Sequence, residues 1–243
     1  MTGEPGSREL SAAQRVKEFL AARFDPNSQL GLGLTASFVI FVLALWAFSG
    51  LLDAVLDNET LVRVDSVVES WFHLHATPAG LAIFNVVTQL GSPVVVVLVF
   101  VVALYLWRAN EILLLWNWLG ATIGGKAIEY VLKNTVHRSR PQYAAAYLYG
   151  HSYSFPSGHS MGATVCYLLL AYLIASRPNA TRRTRSIAFG VATAIVIAVG
   201  FSRLYLGVHY PSDVLGGITA GVAWLSVCGA TRRFVAQRQA ASA

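Results

Sequence analysis

Three short polar clusters in this chain hold residues that could do chemistry. The first reads Lys133-Asn134-Thr135-Val136-His137-Arg138-Ser139-Arg140-Pro141, the second Phe155-Pro156-Ser157-Gly158-His159, and the third Ser202-Arg203 followed by His209 and Asp213. Singly, each has an ordinary reading: a headgroup contact, a helix start, a helical His–Asp pair. Together they contain the parts of a phosphoryl-transfer site. Lys133, Arg140 and Arg203 bring positive charge to a phosphate dianion, the guanidinium forks binding its oxygens in pairs and the lysine acting as a point charge. Ser157 and Gly158 open a helix, whose first N–H groups have no intrahelical acceptor and favour an anion. His209 stands four residues before Asp213, so both share a face if the segment is helical, although Pro211 leaves that geometry open. A carboxylate on one ring nitrogen would fix the tautomer and leave the other free to attack phosphorus. His159 has no acidic partner in sequence and suits the role of general acid toward the leaving oxygen.

These clusters must be positioned by membrane helices. Of 243 residues, 55% are hydrophobic and 12% charged, against roughly 25% charged in an average soluble chain. Leu30–Leu52 is almost unbroken apolar sequence, and about 20 such residues cross a bilayer core. Pro93–Trp107, Glu111–Leu132, Gly158–Ala175, Ile187–Phe201 and Asp213–Cys228 are the further candidates. The expected fold is therefore an all-α, polytopic membrane bundle of about six transmembrane helices, spanning 30–229 between an N-terminal tail, 1–29, and a C-terminal tail, 230–243, that is alanine-rich and expected to fray. The second and fifth spans are short, so their true ends lie outside these limits. Residues 77–90 fit either an interfacial helix or the upper half of a kinked second span, because Gly91-Ser92-Pro93 breaks a helix.

Between the first two spans, Leu61, Val64, Val68, Trp71 and Phe72 recur at helical spacing opposite Arg63, Asp65 and Glu69, the pattern of an amphipathic helix on the membrane surface. His73 and His75 at its end lack the further ligands that a metal site needs. Lys and Arg in the short loops set orientation: the N-terminal tail, Arg108, Arg177, Arg182, Arg183, Arg185, Arg232, Arg233 and Arg238 fall on one side, and Arg63, Lys133, Arg138, Arg140 and Arg203 on the other. Both termini are thus predicted cytoplasmic, with the polar clusters on the extracytoplasmic face of the cell membrane. The net charge of +6 lies between apolar runs and not on a polar basic face, so it does not read as nucleic-acid binding. Cys166 and Cys228 fall inside apolar runs and read as packing residues. Gly120/Gly124 and Gly217/Gly221 have the spacing that lets membrane helices approach closely.

Lys133 through Arg140-Pro141, Pro156-Ser157-Gly158-His159, and Ser202-Arg203 through His209 to Asp213 match, in order and spacing, three motifs of a known family. Over about Leu30 to Trp224 the chain resembles the type-2 phosphatidic acid phosphatases. The resemblance implies a six-helix core and metal-independent hydrolysis of lipid phosphates, with no cofactor. It implies His209 as the nucleophile forming a phosphohistidine, Asp213 as its orienting partner, His159 as the acid that later activates water, and Lys133, Arg140, Arg203, Ser157 and Gly158 as the phosphate cradle. Ser139 departs from the proline that many relatives have there, a change in loop stiffness alone.

Lys126 and Glu129 share a face with Lys133 and stand as possible supporting residues, Glu129 pairing with either lysine. Tyr143, Tyr147, Tyr205 and Tyr210 read as an interfacial belt, and the sequons at Asn58 and Asn179 are discounted. Two other readings stay open: a phosphotransferase sharing the first chemical step, and a non-catalytic anionic-lipid transporter, which leaves the His209–Asp213 spacing unexplained. The expected partner is a membrane lipid phosphate: a polyprenyl diphosphate, a phosphatidylglycerol phosphate or a phosphatidate. Its identity and the oligomeric state are not written in the sequence.

Overall fold

The computed structural model describes residues 14, 31–57, 60–142 and 152–242. Arg8, Arg15, Lys17 and Arg23 of the N-terminal tail, the sequon at Asn58, and Tyr143 and Tyr147 lie outside the described residues. The regular elements are helical: α1 Gly31–Leu56, α2 Thr60–His75, α3 Pro78–Val87, a 3-10 turn Thr88–Gly91, α4 Pro93–Arg108, α5 Ile112–Val136, α6 Gly158–Ala175, α7 Arg182–Tyr205 and α8 Pro211–Ser242. Among the described residues, five runs are long and apolar enough to cross a membrane: α1, the joined α3–α4 run, α6, α7 and α8. Helix α5 carries Asn117, Lys126, Glu129 and Lys133 in an otherwise apolar sequence. Its 25 residues reach about 37 Å at roughly 1.5 Å per residue, long enough to cross a bilayer core, but it is not among the five runs that are also apolar enough. The chain is an all-α, multi-pass membrane bundle.

The structure resolves residues 77–90. Pro78–Arg108 is a single 31-residue apolar run, broken only where the proline forces it. Pro93 has no N–H to give the carbonyl of Gln89, and Ser92 N–H donates there instead at 3.2 Å, tightening one turn into 3-10 geometry. Helix α7 likewise extends beyond 187–201 at both ends. Residues 230–242 continue α8 instead of fraying, in keeping with alanine's helix propensity.

The exterior is apolar. Phe38, Trp46, Phe100, Trp116 and Ile123 are each more than 60% exposed, a surface that lipid accommodates and water does not. Inside, Leu106, Trp118, Ala121, Val165, Cys166 and Cys228 belong to one buried cluster, and the two cysteines are free thiols. Polar side chains tie helices together where apolar contact with lipid gives no preference: Asn117 Nδ2 donates to Cys228 O (3.0 Å), Trp118 Nε1 to Val99 O (3.1 Å) and Trp224 Nε1 to Ala121 O (2.8 Å).

Helix α2 has the two faces its sequence suggests, but the acidic one packs against the protein. Asp65, Glu69 and Phe72 are buried while Val64, Val67, Trp71 and Leu74 are exposed, so the acidic face turns into the protein and an apolar face turns outward. Water is the wrong reference solvent here: with lipid outside, ionisable groups face the bundle interior. Burial pushes the Glu69 carboxyl above its ordinary pKa, His73 opposing. His75 is held locally, its Nδ1 lying 2.8 Å from Trp71 O and its ring stacked on Trp71.

Gly217 and Gly221 do bring α8 against α6. A Cβ at Gly217 would stand 2.5 Å from the Ser157 carbonyl oxygen, and one at Gly221 would stand 3.0 Å from Thr164. Gly124 accommodates Trp224, whereas a Cβ at Gly120 meets nothing within 4 Å. Gly217→Val is therefore expected to destabilise the fold by about 1–3 kcal/mol or more, and Gly120→Ala to leave it unchanged or raise it by up to ~1 kcal/mol. Thermal unfolding in detergent measures both.

Candidate active site

Each polar cluster sits at a helix end, and each end is shaped by a specific local device. Helix α5 stops at His137, which adopts the left-handed conformation at φ 54° and donates its N–H to Lys133 O. The chain then turns back, so that Arg138 and Arg140 point into the bundle. Helix α7 stops in a Schellman arrangement, Gly207 N–H donating to Leu204 O and Val208 N–H to Arg203 O, with Gly207 at φ 63°. Glycine is needed there because other residues rarely hold that conformation. The reversal delivers His209, 2% exposed, to the interior.

Helix α8 begins with Pro211 at its first position, and Asp213 reaches back to accept the N–H of Tyr210 at 2.9 Å, half of a capping box. The same carboxylate oxygen, Oδ2, lies 3.3 Å from His209 Nδ1. On the other edge of the ring, Arg140 Nη1 is 3.5 Å from Nε2 and donates to Val208 O at 2.9 Å. A carboxylate only accepts and a guanidinium only donates. Both neighbours therefore enforce one tautomer, with the proton on Nδ1 and the lone pair on Nε2 facing Arg140. Burial, reinforced by Arg203 and Arg140 and opposed by Asp213, lowers the His209 pKa to about 4, so the ring is neutral at pH 7.

The other oxygen of Asp213, Oδ1, accepts from Arg138 Nη1 at 2.7 Å, and the same nitrogen donates to Ser212 Oγ at 2.6 Å. Arg138 Nη2 donates to Asp65 Oδ2 at 2.7 Å. Asp65 also accepts the backbone N–H of Ser212 at 3.0 Å and its hydroxyl, satisfying a first-turn donor of α8 from α2. Burial opposes the Arg138 charge, but Asp213 and Asp65 outweigh it and raise the guanidinium pKa. Its plane also lies 4.3 Å from the centre of the Tyr210 ring. Tyr210 thus joins the network. Tyr205 is engaged too, its hydroxyl accepting Thr77 N–H at 3.1 Å.

His159 lies in the first turn of α6 and packs on the break before α4: a Cβ at Gly91 would lie 3.1 Å from His159 Cβ and 2.6 Å from Val199 Cγ1. The same 3-10 turn presents Thr88, whose hydroxyl accepts from Arg203 Nη1 at 2.7 Å, and Arg203 is 1% exposed. Ser157 caps α6, its Oγ accepting Ser160 N–H at 3.4 Å. Its own backbone N–H, however, is given to Asp213 O at 2.9 Å. That bond ties the second cluster to the third and leaves the first-turn N–H groups of Gly158 and His159 as those with no intrahelical acceptor. Lys133 Nζ is 3.2 Å from Glu129 Oε1, and Lys126 Nζ is 2.7 Å from Glu129 Oε2, so Glu129 pairs with both lysines at once.

The three clusters are brought to one end of the bundle. Asp65, Arg138, Ser212, Thr88 and Ser154, whose hydroxyl donates to Ser139 O at 3.0 Å and lies 3.5 Å from Asp213 Oδ1, join them without having been given a role from sequence. The signal for Asp65 was its place on a helix between membrane spans, where a carboxylate turns inward. Arg138 stood inside the first cluster, two residues before Arg140. Asp65→Asn is expected to lower the unfolding temperature, since breaking a buried ion pair costs about 3–5 kcal/mol, and Arg138→Lys is expected not to substitute, because an ammonium lacks the fork that spans two carboxylates. Nitrogen NMR of histidine-labelled protein in detergent should find His209 neutral and protonated on Nδ1 down to about pH 4. Protonation near the ordinary histidine value would contradict this geometry.

A family model described as the PAP2 superfamily matches residues 114–235. Among curated relatives, phosphatidylglycerophosphatase B of Bacillus subtilis is 38% identical over 97 residues, covering 40% of this chain and 47% of its own. Decaprenylphosphoryl-5-phosphoribose phosphatase of Mycobacterium tuberculosis is 32% identical over 111 residues, covering 43% and 55%. The chain spans about half the length of the curated relatives it matches. Among solved structures, a transmembrane PAP2-type phosphatidylglycerolphosphate phosphatase of Bacillus subtilis superposes with a TM-score of 0.68 at 25% identity, covering 84% of this chain and 97% of that one.

Proposed function

The chain belongs to the PAP2 superfamily, and we propose that it is an integral membrane lipid phosphatase in which His209 takes the phosphoryl group as a phosphohistidine. The observation that carries this reading is the His209 ring, buried and neutral, with Asp213 on Nδ1 and the Arg140 guanidinium beside Nε2. That nitrogen carries the ring's lone pair and has a cation next to the position where phosphoryl oxygens would gather negative charge.

The reaction proceeds in two displacements. In the first, the Nε2 lone pair attacks phosphorus and the bond from phosphorus to the leaving oxygen breaks, while His159 gives that oxygen a proton. Positive charge developing on the ring is balanced by the Asp213 carboxylate through Nδ1–H. In the second, His159 takes a proton from water, whose oxygen attacks phosphorus and releases His209 and inorganic phosphate. Lys133, Arg140 and Arg203 carry the charge on the equatorial oxygens, with the N–H of Gly158 as a further donor.

A lipid substrate is favoured by what adjoins the site. A groove of about 730 Å³ between α4, α5 and α6 is lined by Val95, Val99, Ile123, Met161 and Val165, with Lys126, Glu129 and Gly158 also on its wall. An apolar chain fits such a lining, and a phosphate fits its charged end. The relatives act on a phosphatidylglycerol phosphate and on a decaprenyl-linked phosphate by their names. We take this chain's substrate class to be a lipid phosphate or diphosphate of that kind. The basic ends of α4, α6 and α8 lie opposite the site: Arg177 pairs with Glu111 at 3.5 Å, and Arg233 donates to Ser37 Oγ at 2.7 Å. By the excess of basic residues there, that end is cytoplasmic and the site is extracytoplasmic.

Purified protein in detergent is expected to release inorganic phosphate from at least one of phosphatidylglycerol phosphate, polyprenyl diphosphate and phosphatidate, undiminished by EDTA. A chelator-sensitive activity restored by Mg²⁺ would contradict the metal-independent chemistry. Labelled lipid phosphate should leave an acid-labile label on the wild-type enzyme and none on His209→Ala; label retained in that variant would assign the nucleophile elsewhere.

A further inference from the structure

Glu129 is a charged group beside the cradle that the two displacements do not use, and its position opposes the substrate. It is an anion where the cradle is meant to hold one. Its carboxylate is almost fully buried, with a side-chain exposure of 6%, and its two oxygens have different partners. Oε1 takes Lys133, itself 15% exposed, at 3.2 Å; Oε2 takes Lys126, 75% exposed, at 2.7 Å. Oε1 also leans on the first residue of α6, since a Cβ at Gly158 would stand 2.1 Å from it. That is the first turn of a helix, where anions are stabilised, and the absence of a side chain at Gly158 lets the carboxylate approach it. Lys126, Glu129 and Gly158 all line the groove that leads from the lipid-facing wall to this turn.

We propose that Glu129 is a resident counter-anion of the phosphate cradle, competing with the substrate's phosphate for Lys133, and that Lys126 holds the carboxylate aside when phosphate binds. This rests on the phosphatase reading and adds to it a positioning pair that acts through Lys133. The division of the carboxylate between two lysines makes the exchange possible. When Lys133 turns to a phosphate oxygen, Glu129 keeps a close ammonium partner and is not stranded as a buried, unpaired charge. When product phosphate leaves, the same carboxylate is there to take Lys133 back. The consequence is a cradle tuned for release: phosphate is bound less tightly than three cations would bind it alone, and turnover gains what affinity loses.

The test uses the full chain in detergent, with inorganic phosphate and a lipid phosphate as separate probes. Glu129→Gln is expected to lower the inhibition constant of inorganic phosphate about tenfold, to lower KM for the lipid, and to lower kcat as release slows. Glu129→Asp, a shorter carboxylate, should lie between wild type and Gln. Lys126→Met, a change on the exposed side of the pair, is expected to act in the opposite direction, raising both the phosphate inhibition constant and KM several-fold as Glu129 turns wholly to Lys133. A Glu129→Gln variant that bound phosphate more weakly, or as wild type does, would overturn the proposal. If that variant does not fold, an unchanged or lowered phosphate constant in Lys126→Met overturns it equally. Phosphate binding is read separately from turnover, by the rise in unfolding temperature with phosphate concentration. A wild-type protein that bound phosphate but released none from any lipid would sink the phosphatase reading and not this one.

Discussion

The Arg138 guanidinium lies between two fully buried carboxylates, Asp65 and Asp213, and the geometry of the site depends on it. Asp213 is held on one oxygen by Arg138 and on the other by the Tyr210 N–H, which leaves it one direction in which to meet the His209 ring. Asp65 carries the same constraint outward to α2 and, through Ser212, to the first turn of α8. Breaking such a pair costs about 3–5 kcal/mol, whereas forming it gains little over apolar packing of the same volume. The arrangement is therefore better understood as a device for placement than for stability. A histidine that must present one nitrogen in one protonation state needs that placement.

The remaining site residues are placed by helix ends, each terminated by its own chemistry. A left-handed His137 turns the chain after α5, a glycine-centred reversal ends α7, and Asp213 caps α8 while orienting His209. The break that Pro93 imposes on the second span brings Thr88 to Arg203 and Gly91 to His159. A straight helix there would present neither. Backbone ties then connect the ends, notably Ser157 N–H to Asp213 O, which joins the second and third clusters directly.

The bundle works between two solvents. Its lipid-facing exterior is apolar, while its charged groups converge at one end around His209, where low polarity strengthens every interaction among them. The groove between α4, α5 and α6 joins these environments, apolar along its length and charged where Lys126 and Glu129 meet Gly158. A lipid phosphate has the same division between tail and headgroup.

Much of this was legible in the order of residues. Unbroken apolar runs fix where a chain must cross a bilayer, because backbone groups in lipid have to be satisfied within a helix. The same local logic identified Pro93 as a breaker, Gly217 and Gly221 as contact points, and three polar clusters falling on the same side by parity of crossings. What no local pattern contains is direction across space. Periodicity divides α2 into two faces but cannot say which faces inward, and judged against water the acidic face was assigned outward; the fold turned Asp65 and Glu69 inside because lipid is the outer solvent. Spacing offered Glu129 a choice of lysines, and the structure divided its two oxygens between them. Arg138 is one basic residue among several in its cluster. It becomes the centre of the site only when α2 and α8, whose Asp65 and Asp213 lie 73 and 75 residues away in the chain, bring their carboxylates to its two sides, for pairing between distant charges is decided by how helices pack and not by the sequence near either one.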